Sequence, residues 1–287
     1  MSKQRYSWLK PFFLFICLFN GYFTFFQLQA EVTQEKKIAL LFLTRNGVNH
    51  PNLWKTLLAQ NPDKFNIYIY SDYPLKDPFY ESFRIQESVP TSWTYHIKTW
   101  QLLVREAFKN PENYKFVYLS ESCIPLAKLE RIYQTLTANN SSYMCYLNTW
   151  WPKDNPREVV ELPVEHRWGN HEWVILNRRH AEMIVNDQSV IDIVSRCSID
   201  SESYPSTLFS VHGCLNEFAC YPTTYVNWDI TEGGGAHPYS FKEYNIFNWY
   251  LLVKAKKDGH LFARKFTANF PEEGILKIMH SVFNDEL

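Results

Sequence analysis

Two hydrophobic rhythms alternate along the first half of this chain. Unbroken apolar runs are followed by stretches in which apolar positions recur every three or four residues. The first run, KIALLFLT (Lys37–Thr44), has the make-up of a strand buried on both faces of an α/β sheet. HPNLWKTLLAQ follows it, with Leu53, Trp54, Leu57 and Leu58 at helical spacing. FNIYIYSDYP (Phe65–Pro74) predicts a second strand ending in Ser71-Asp72. SWTYHIKTWQLLVREAFKN (Ser92–Asn110) predicts a helix with Ile97, Trp100, Leu103, Val104 and Ala107 on one face. A third strand is expected from Tyr114 to Ser120 and another helix near Ala127–Thr137. This order predicts an α/β protein with a mostly parallel, Rossmann-type sheet flanked by helices and joined by right-handed crossovers.

Ligands of such sheets bind beyond the carboxyl ends of the strands. Three polar strand ends are therefore candidates: Thr44-Arg45-Asn46, Ser71-Asp72 and Ser120-Glu121-Ser122. The last lies in FVYLSESCIPL, where strand material gives way abruptly to polar residues. No GxGxxG or Walker loop follows any of these strands, which excludes the usual dinucleotide and P-loop sites. The second half is less regular. EHRWGNHEWVILNRRHAEMIV holds a strand expected at Glu172–Leu176 and a helix from about Arg178. SIDSESYPSTL opens a further helix with acidic residues that complement its dipole. TTYVNWDITEGGGAHPYSF reads as a strand followed by a glycine-rich loop, and HLFARKFTANF closes the set.

Of the 287 residues, 46% are hydrophobic, enough for a sizeable core in one large domain or two small ones. The formal net charge of -1 argues against a nucleic-acid partner, which calls for a basic excess. Ten tryptophans and eighteen tyrosines suit either an aromatic-rich core or a site for sugars and other flat, amphipathic ligands. Lys3, Arg5 and Lys10 precede the apolar run PFFLFICLFNGYFTFF, which marks residues 1–30 as an export signal. The run falls short of the ~20 residues of a full membrane span. Ala30 fits a cleavage site, while the bulky Gln27 and Gln29 favour a retained membrane anchor. Either choice places the body of the protein outside the cytosol or in a secretory lumen. Five of the six cysteines follow this segment, none in a Cys-x-x-Cys pair, which argues against zinc. Disulfides involving Cys197, Cys214 or Cys220 would suit an oxidising compartment. The terminal NDEL approaches an ER-retention tail, a match short enough to arise by chance.

Seven islands carry a resemblance: IALLFLT, IYIYSD, FVYLSESCIPL, HRWGNHEWVILNR, ESYPSTL, YVNWD with GGGAHPYSF, and LFARKF. In this order, over about residues 37–266, they resemble the core-2/I-branching β-1,6-N-acetylglucosaminyltransferase family, with its plant and bacterial relatives and the peptide O-xylosyltransferases. The resemblance implies a single GT-A-like domain over residues 31–287. It also implies inverting transfer of a sugar, N-acetylglucosamine or xylose, from a UDP-sugar to a hydroxyl of a glycan or glycoconjugate. The family resembles a metal-independent variant, and Ser120-Glu121-Ser122 lacks the metal-holding DxD of other nucleotide-sugar transferases.

Carried over residue by residue, the resemblance makes Glu202 the base that deprotonates the acceptor hydroxyl. The relatives have adjacent acids, whereas Ser201 separates Asp200 from Glu202 here, so Asp200 stands as the alternative base. Both could instead cap a helix. Arg264 and Lys265 match the basic pair that stabilises the UDP leaving group in place of a metal. Some relatives have another arginine near HPYSF, for which His237 or Lys242 would substitute. Thr44, Arg45, Ser120 and Glu121 are expected toward the donor, and Asp72 or Ser71 toward its uracil or ribose. Trp228 matches the family's sugar-stacking tryptophan. Trp173 and the loop His166, Arg167 and Trp168 are expected to wall the acceptor cleft, with glycines 233–235 as a lid. Cys123 is expected to be a buried, inert thiol. A glycosidase, which needs a second carboxylate, and a non-catalytic sugar-binding or degenerate transferase-like protein are the rival readings.

Overall fold

The opening apolar run forms the middle of a sheet. In the computed structural model, which describes residues 35–148, 161–235 and 237–281, β1 (Lys37–Thr44) is flanked in parallel by β2 (Phe65–Ser71) and β3 (Asn113–Ser120). Ile38 through Phe42 are at most 1% exposed, because helices cover the sheet where a one-faced sheet would show alternation. The expected signal or anchor at residues 1–30 and the NDEL tail lie outside the described residues. Residues Lys36–Leu287 form one compact unit. Among the described residues no helix is long and apolar enough to cross a membrane.

The later strands are short: β4 (Ile124–Pro125), β5 (Ser142–Tyr143), β6 (Tyr146–Leu147), β7 (Gly169–Asn170), β8 (Ile175–Asn177) and β9 (Phe218–Ala219). They are followed by β10 (Thr224–Val226), β11 (Thr231–Glu232), β12 (His237–Pro238) and β13 (Phe262–Arg264). The central sheet has the order β2-β1-β3-β8-β5-β9. It is parallel through β3, after which β8 runs antiparallel to both β3 and β5. The expected α/β, GT-A-like architecture is thus present, with antiparallel strands added from the second half. A second sheet, β10-β13-β4, pairs β13 parallel to β10 and antiparallel to β4. β11 and β12 form a small hairpin around Gly233, Gly234 and Gly235. Their φ values of 60°, 69° and 96° lie in the left-handed region that favours glycine.

Two element boundaries differ from the sequence pattern for identifiable reasons. The helix expected over Ser92–Asn110 spans Ile97–Phe108. Its first residues instead form a tight turn, in which Ser92 and Tyr95 exchange backbone hydrogen bonds. Strand β8 starts at Ile175 rather than Glu172, because the side chain of Glu172 is drawn into a polar cluster described below. The Ile97–Phe108 helix packs on the sheet and on the Arg178–Asn186 helix. Gln101 fastens that second helix by donating to the carbonyls of Ile184 at 2.9 Å and Asp187 at 2.7 Å. The five described cysteines are all in the thiol form, so the disulfides expected of Cys197, Cys214 or Cys220 are not present.

Leu103 sits at the centre of this packing, fully buried. Leu103→Ala should lower the unfolding free energy in urea by about 2–5 kcal/mol through lost burial and the cavity left behind. A loss below about 1 kcal/mol would show that this helix does not seal the sheet.

Candidate functional site

The polar end of β3 is a built turn. Ser120 Oγ and Ser122 Oγ lie 3.0 Å apart, and the Cys123 amide donates to the Ser120 carbonyl at 3.1 Å. Trp54 Nε1 donates to the Cys123 carbonyl at 3.3 Å, fixing the turn to the first helix. Cys123 is 1% exposed, and burial pushes its thiol pKa up, which keeps it protonated and unreactive. From this turn the chain enters β4, where Ile124 pairs with Ala263 and Pro125 with Phe262. The Phe266 amide then donates to the Ser122 carbonyl at 3.0 Å, and Asn49 Nδ2 donates to the Phe266 carbonyl at 2.9 Å. The LFARKF island is thereby laid against the FVYLSESCIPL turn. Strand β10 brings the third island, with Val226 opposite Arg264 and Trp228 two residues beyond, 46% exposed.

Arg264 is held by aromatic stacking. Its guanidinium lies 4.2 Å from the ring centroid of Trp173, which in turn stacks on Tyr118 at 5.8 Å and 21°. Trp173 is only 8% exposed. Its indole, expected to wall the acceptor cleft, serves here as a platform for Arg264. The Arg264 Nε is buried and has no hydrogen-bond partner among the described residues, an unspent donor. The Lys265 carbonyl accepts from the Phe241 amide at 2.8 Å, which carries the HPYSF segment to the same place. Within that segment Lys242 is committed to Glu232 at 2.9 Å, and the His237 ring packs edge-on to Trp93.

Facing Arg264 is a cluster of ionisable side chains that the sequence pattern did not single out. Glu172 Oε1 lies 2.8 Å from His96 Nε2 and accepts from Ser201 Oγ at 3.4 Å. Burial disfavours the charge on His96, but the hydrogen bond and charge of Glu172, with help from Asp200, outweigh it and raise the His96 pKa. Burial likewise opposes charge on Glu172, yet the His96 bond and the charges of His96 and Arg264 hold its carboxyl below the usual range. Asp200 is 1% exposed and accepts from the amides of His96 and Ile97, both at 3.1 Å. Of the two candidate bases, Asp200 is thus spent on capping the Ile97–Phe108 helix, and burial raises its pKa despite those bonds. Glu202, at the end of the same turn, is half-buried.

The remaining candidates divide. Thr44 is 4% exposed, and its hydroxyl donates to the Gly47 carbonyl at 2.6 Å while accepting from the Gly47 amide. Its side chain, expected toward the donor, closes the turn after β1. Ser71 likewise donates to the Arg45 carbonyl at 3.0 Å, whereas Asp72 is exposed at the strand end. Ser120 and Glu121 lie on the β3 turn, both half-buried. Arg167 donates from Nε to the Leu162 carbonyl at 3.0 Å, and its neighbour His166 bonds Ser210 on the helix after the acidic turn. Glu172, His96 and Trp93, an indole 72% exposed beside His237, were missed. An acid inside an apolar run, in NHEWVIL, was the available signal for Glu172. Among the described residues no group of three or more His, Cys, Asp or Glu side chains is arranged to hold a metal. A groove of about 970 Å³ along β2, lined by Lys55, Phe65, Tyr68, Phe79 and Arg84, shares no residue with this cluster.

A six-stranded, mostly parallel sheet flanked by helices, with its polar strand end and a cationic segment gathered together, defines a GT-A-like α/β protein. Residues 38–253 match the family model described as Core-2/I-Branching enzyme, and the chain belongs to that family. It is 25% identical over 264 residues to glycosyltransferase BC10 of Oryza sativa subsp. japonica. That match covers 77% of this chain and 66% of the rice protein, just under two thirds of the relative's length. A crystal structure of A197 from STIV shares 12% identity over 50% of this chain and 67% of its own, with a TM-score of 0.26, too low to carry an argument.

The charge pair His96–Glu172 has a stability signature. The stabilisation from His96 is fully present below the ordinary histidine pKa and is lost as pH rises through its raised value. That from Glu172 is present above the ordinary glutamate pKa and is lost as pH falls through its lowered value. The difference in melting temperature between the natural protein and His96→Gln should therefore be widest between about pH 4.5 and 6.5. It should narrow in alkaline solution, and a difference that does not change with pH would contradict the pairing.

Proposed function

We propose that this protein is an inverting, metal-independent glycosyltransferase that moves a sugar from a UDP-sugar to a hydroxyl of a glycan or glycoconjugate. N-acetylglucosamine and xylose are the donor sugars the family likeness favours. The observation that carries the reading is the placement of Arg264 and Lys265 against the polar turn after β3, with a buried Arg264 donor unspent. Strand-end turns of α/β sheets are where nucleotides bind, and a departing UDP gains negative charge that a guanidinium and an ammonium stabilise.

In this reading the acceptor hydroxyl attacks the anomeric carbon from the face opposite UDP. Glu202 takes its proton, the new C–O bond forms as the bond to UDP breaks, and the configuration inverts. Trp228, exposed beside β10, supplies a flat face for the acceptor sugar. Glu121 and Ser120 lie on the donor side, and Asp72 stands at the β2 end within reach of the nucleoside. The N-terminal segment would place the domain on a membrane or export it. The name of the rice relative, a glycosyltransferase, supports the reaction class.

Incubation with a panel of UDP-sugars, with free UDP as the readout, tests this directly. One sugar should release UDP, and EDTA should leave the rate unchanged; a requirement for added manganese would overturn metal independence. Glu202→Gln should abolish turnover while UDP still binds, and a fully active variant would remove Glu202 as the base. Lys265→Ala or Arg264→Ala should weaken UDP binding by about tenfold or more, the worth of a hydrogen bond to a charged group. Sugar binding without UDP release from any donor would favour the non-catalytic alternative.

A further inference from the structure

We propose that the buried His96–Glu172 pair is a positioning device that holds the acidic turn, and with it Glu202, in its working conformation. The inference deepens the reading of Glu202 as the base and rests on it. The turn begins at Ile199, whose φ of 58° and ψ of 50° put a β-branched residue in the left-handed region. That conformation is costly for such a side chain and persists only where its surroundings over-determine it. Here they do. The Ile199 amide donates to the Thr94 carbonyl at 2.7 Å, and Asn170 Nδ2 donates to the Ser201 carbonyl at 3.0 Å. Asp200 takes the His96 and Ile97 amides, and Ser201 Oγ donates to the oxygen of Glu172 that also meets His96.

One of these bonds, from Ser201 to Glu172, depends on the His96 ring through the carboxylate oxygen they share. His96 Nε2 faces Glu172 at 2.8 Å, and the neighbouring Trp93 backbone also favours the imidazolium. The titratable groups facing the pair are Asp200 from the turn, Arg264 from β13 and the neutral phenol of Tyr118 from β3. Glu172 is therefore kept ionised by two cationic groups, His96 in direct contact and Arg264 through its charge. A neutral His96 would leave Glu172 buried with less compensation, loosening Ser201 and the turn it belongs to.

The test measures turnover with the active UDP-sugar across pH, UDP affinity, and amide hydrogen exchange of residues 199–203. His96→Gln should lower kcat by about 100-fold, the cost of a base displaced by an ångström or so, and leave UDP affinity within about threefold, since Arg264 and Lys265 are untouched. The natural enzyme should lose activity as pH rises through the His96 titration, and His96→Gln should lack that alkaline limb. Exchange at residues 199–203 should quicken, and Ile199→Gly in the His96→Gln background should recover part of the rate by removing the strain. If His96→Gln does not fold, Glu172→Gln carries the same measurements. An unchanged pH profile or unchanged exchange in a folded variant overturns the proposal. If the natural protein turns over no UDP-sugar, the functional reading fails, and the exchange experiment alone still decides whether the pair holds the turn.

Discussion

The pairing of β13 with β4 is the constraint on which the candidate site depends. Two residues on each side, Phe262 with Pro125 and Ala263 with Ile124, carry Arg264 and Lys265 to the polar end of β3. The backbone bond from Phe266 to Ser122 locks that approach. Short strands contribute few ladder bonds, but Ile124, Phe262 and Ala263 are all fully buried. The register is therefore held by packing on both faces, since consecutive Phe262 and Ala263 are each buried.

The second requirement is electrical. Removing a carboxylate from water costs several kcal/mol unless partners compensate. Glu172 meets that cost with His96 and Arg264, and Asp200 with two helix amides that would otherwise lack acceptors. The same bonds hold the acidic turn against the start of the Ile97–Phe108 helix. Stability and the geometry of the site are thus not separate properties here: the groups that neutralise the buried charges are the ones that orient the candidate base and the cation opposite it.

How far the sequence spoke depended on the range of the interaction concerned. β1 was legible because burial on both faces leaves an unbroken apolar run, β2 and β3 because aromatic and β-branched residues cluster there, and the Ile97–Phe108 helix because Leu103 and Val104 share its buried face. Its first turn was misplaced because the cap comes from Asp200, far along the chain, rather than from a local Ser or Asp. At Thr44 the sequence could not show the turn bond, since a polar residue at a strand end looks the same whether it faces a ligand or closes its own turn on Gly47. The stacking of Arg264 on Trp173 was not legible, because composition cannot tell an indole offered to a sugar from one covered by a guanidinium.

By itself, then, the sequence determined the sheet-building segments, the polar strand ends, and the islands whose order points to the family. These are local properties, written in periodicity and in short motifs. Only the tertiary structure decided which island meets which: that Arg264 lies against the β3 turn, that Asp200 caps a helix, and that His96 and Glu172 form a pair beside the acidic turn. Those outcomes rest on long-range pairing and on the burial of charge. No single segment encodes either, because the partner that makes each arrangement affordable lies elsewhere in the chain.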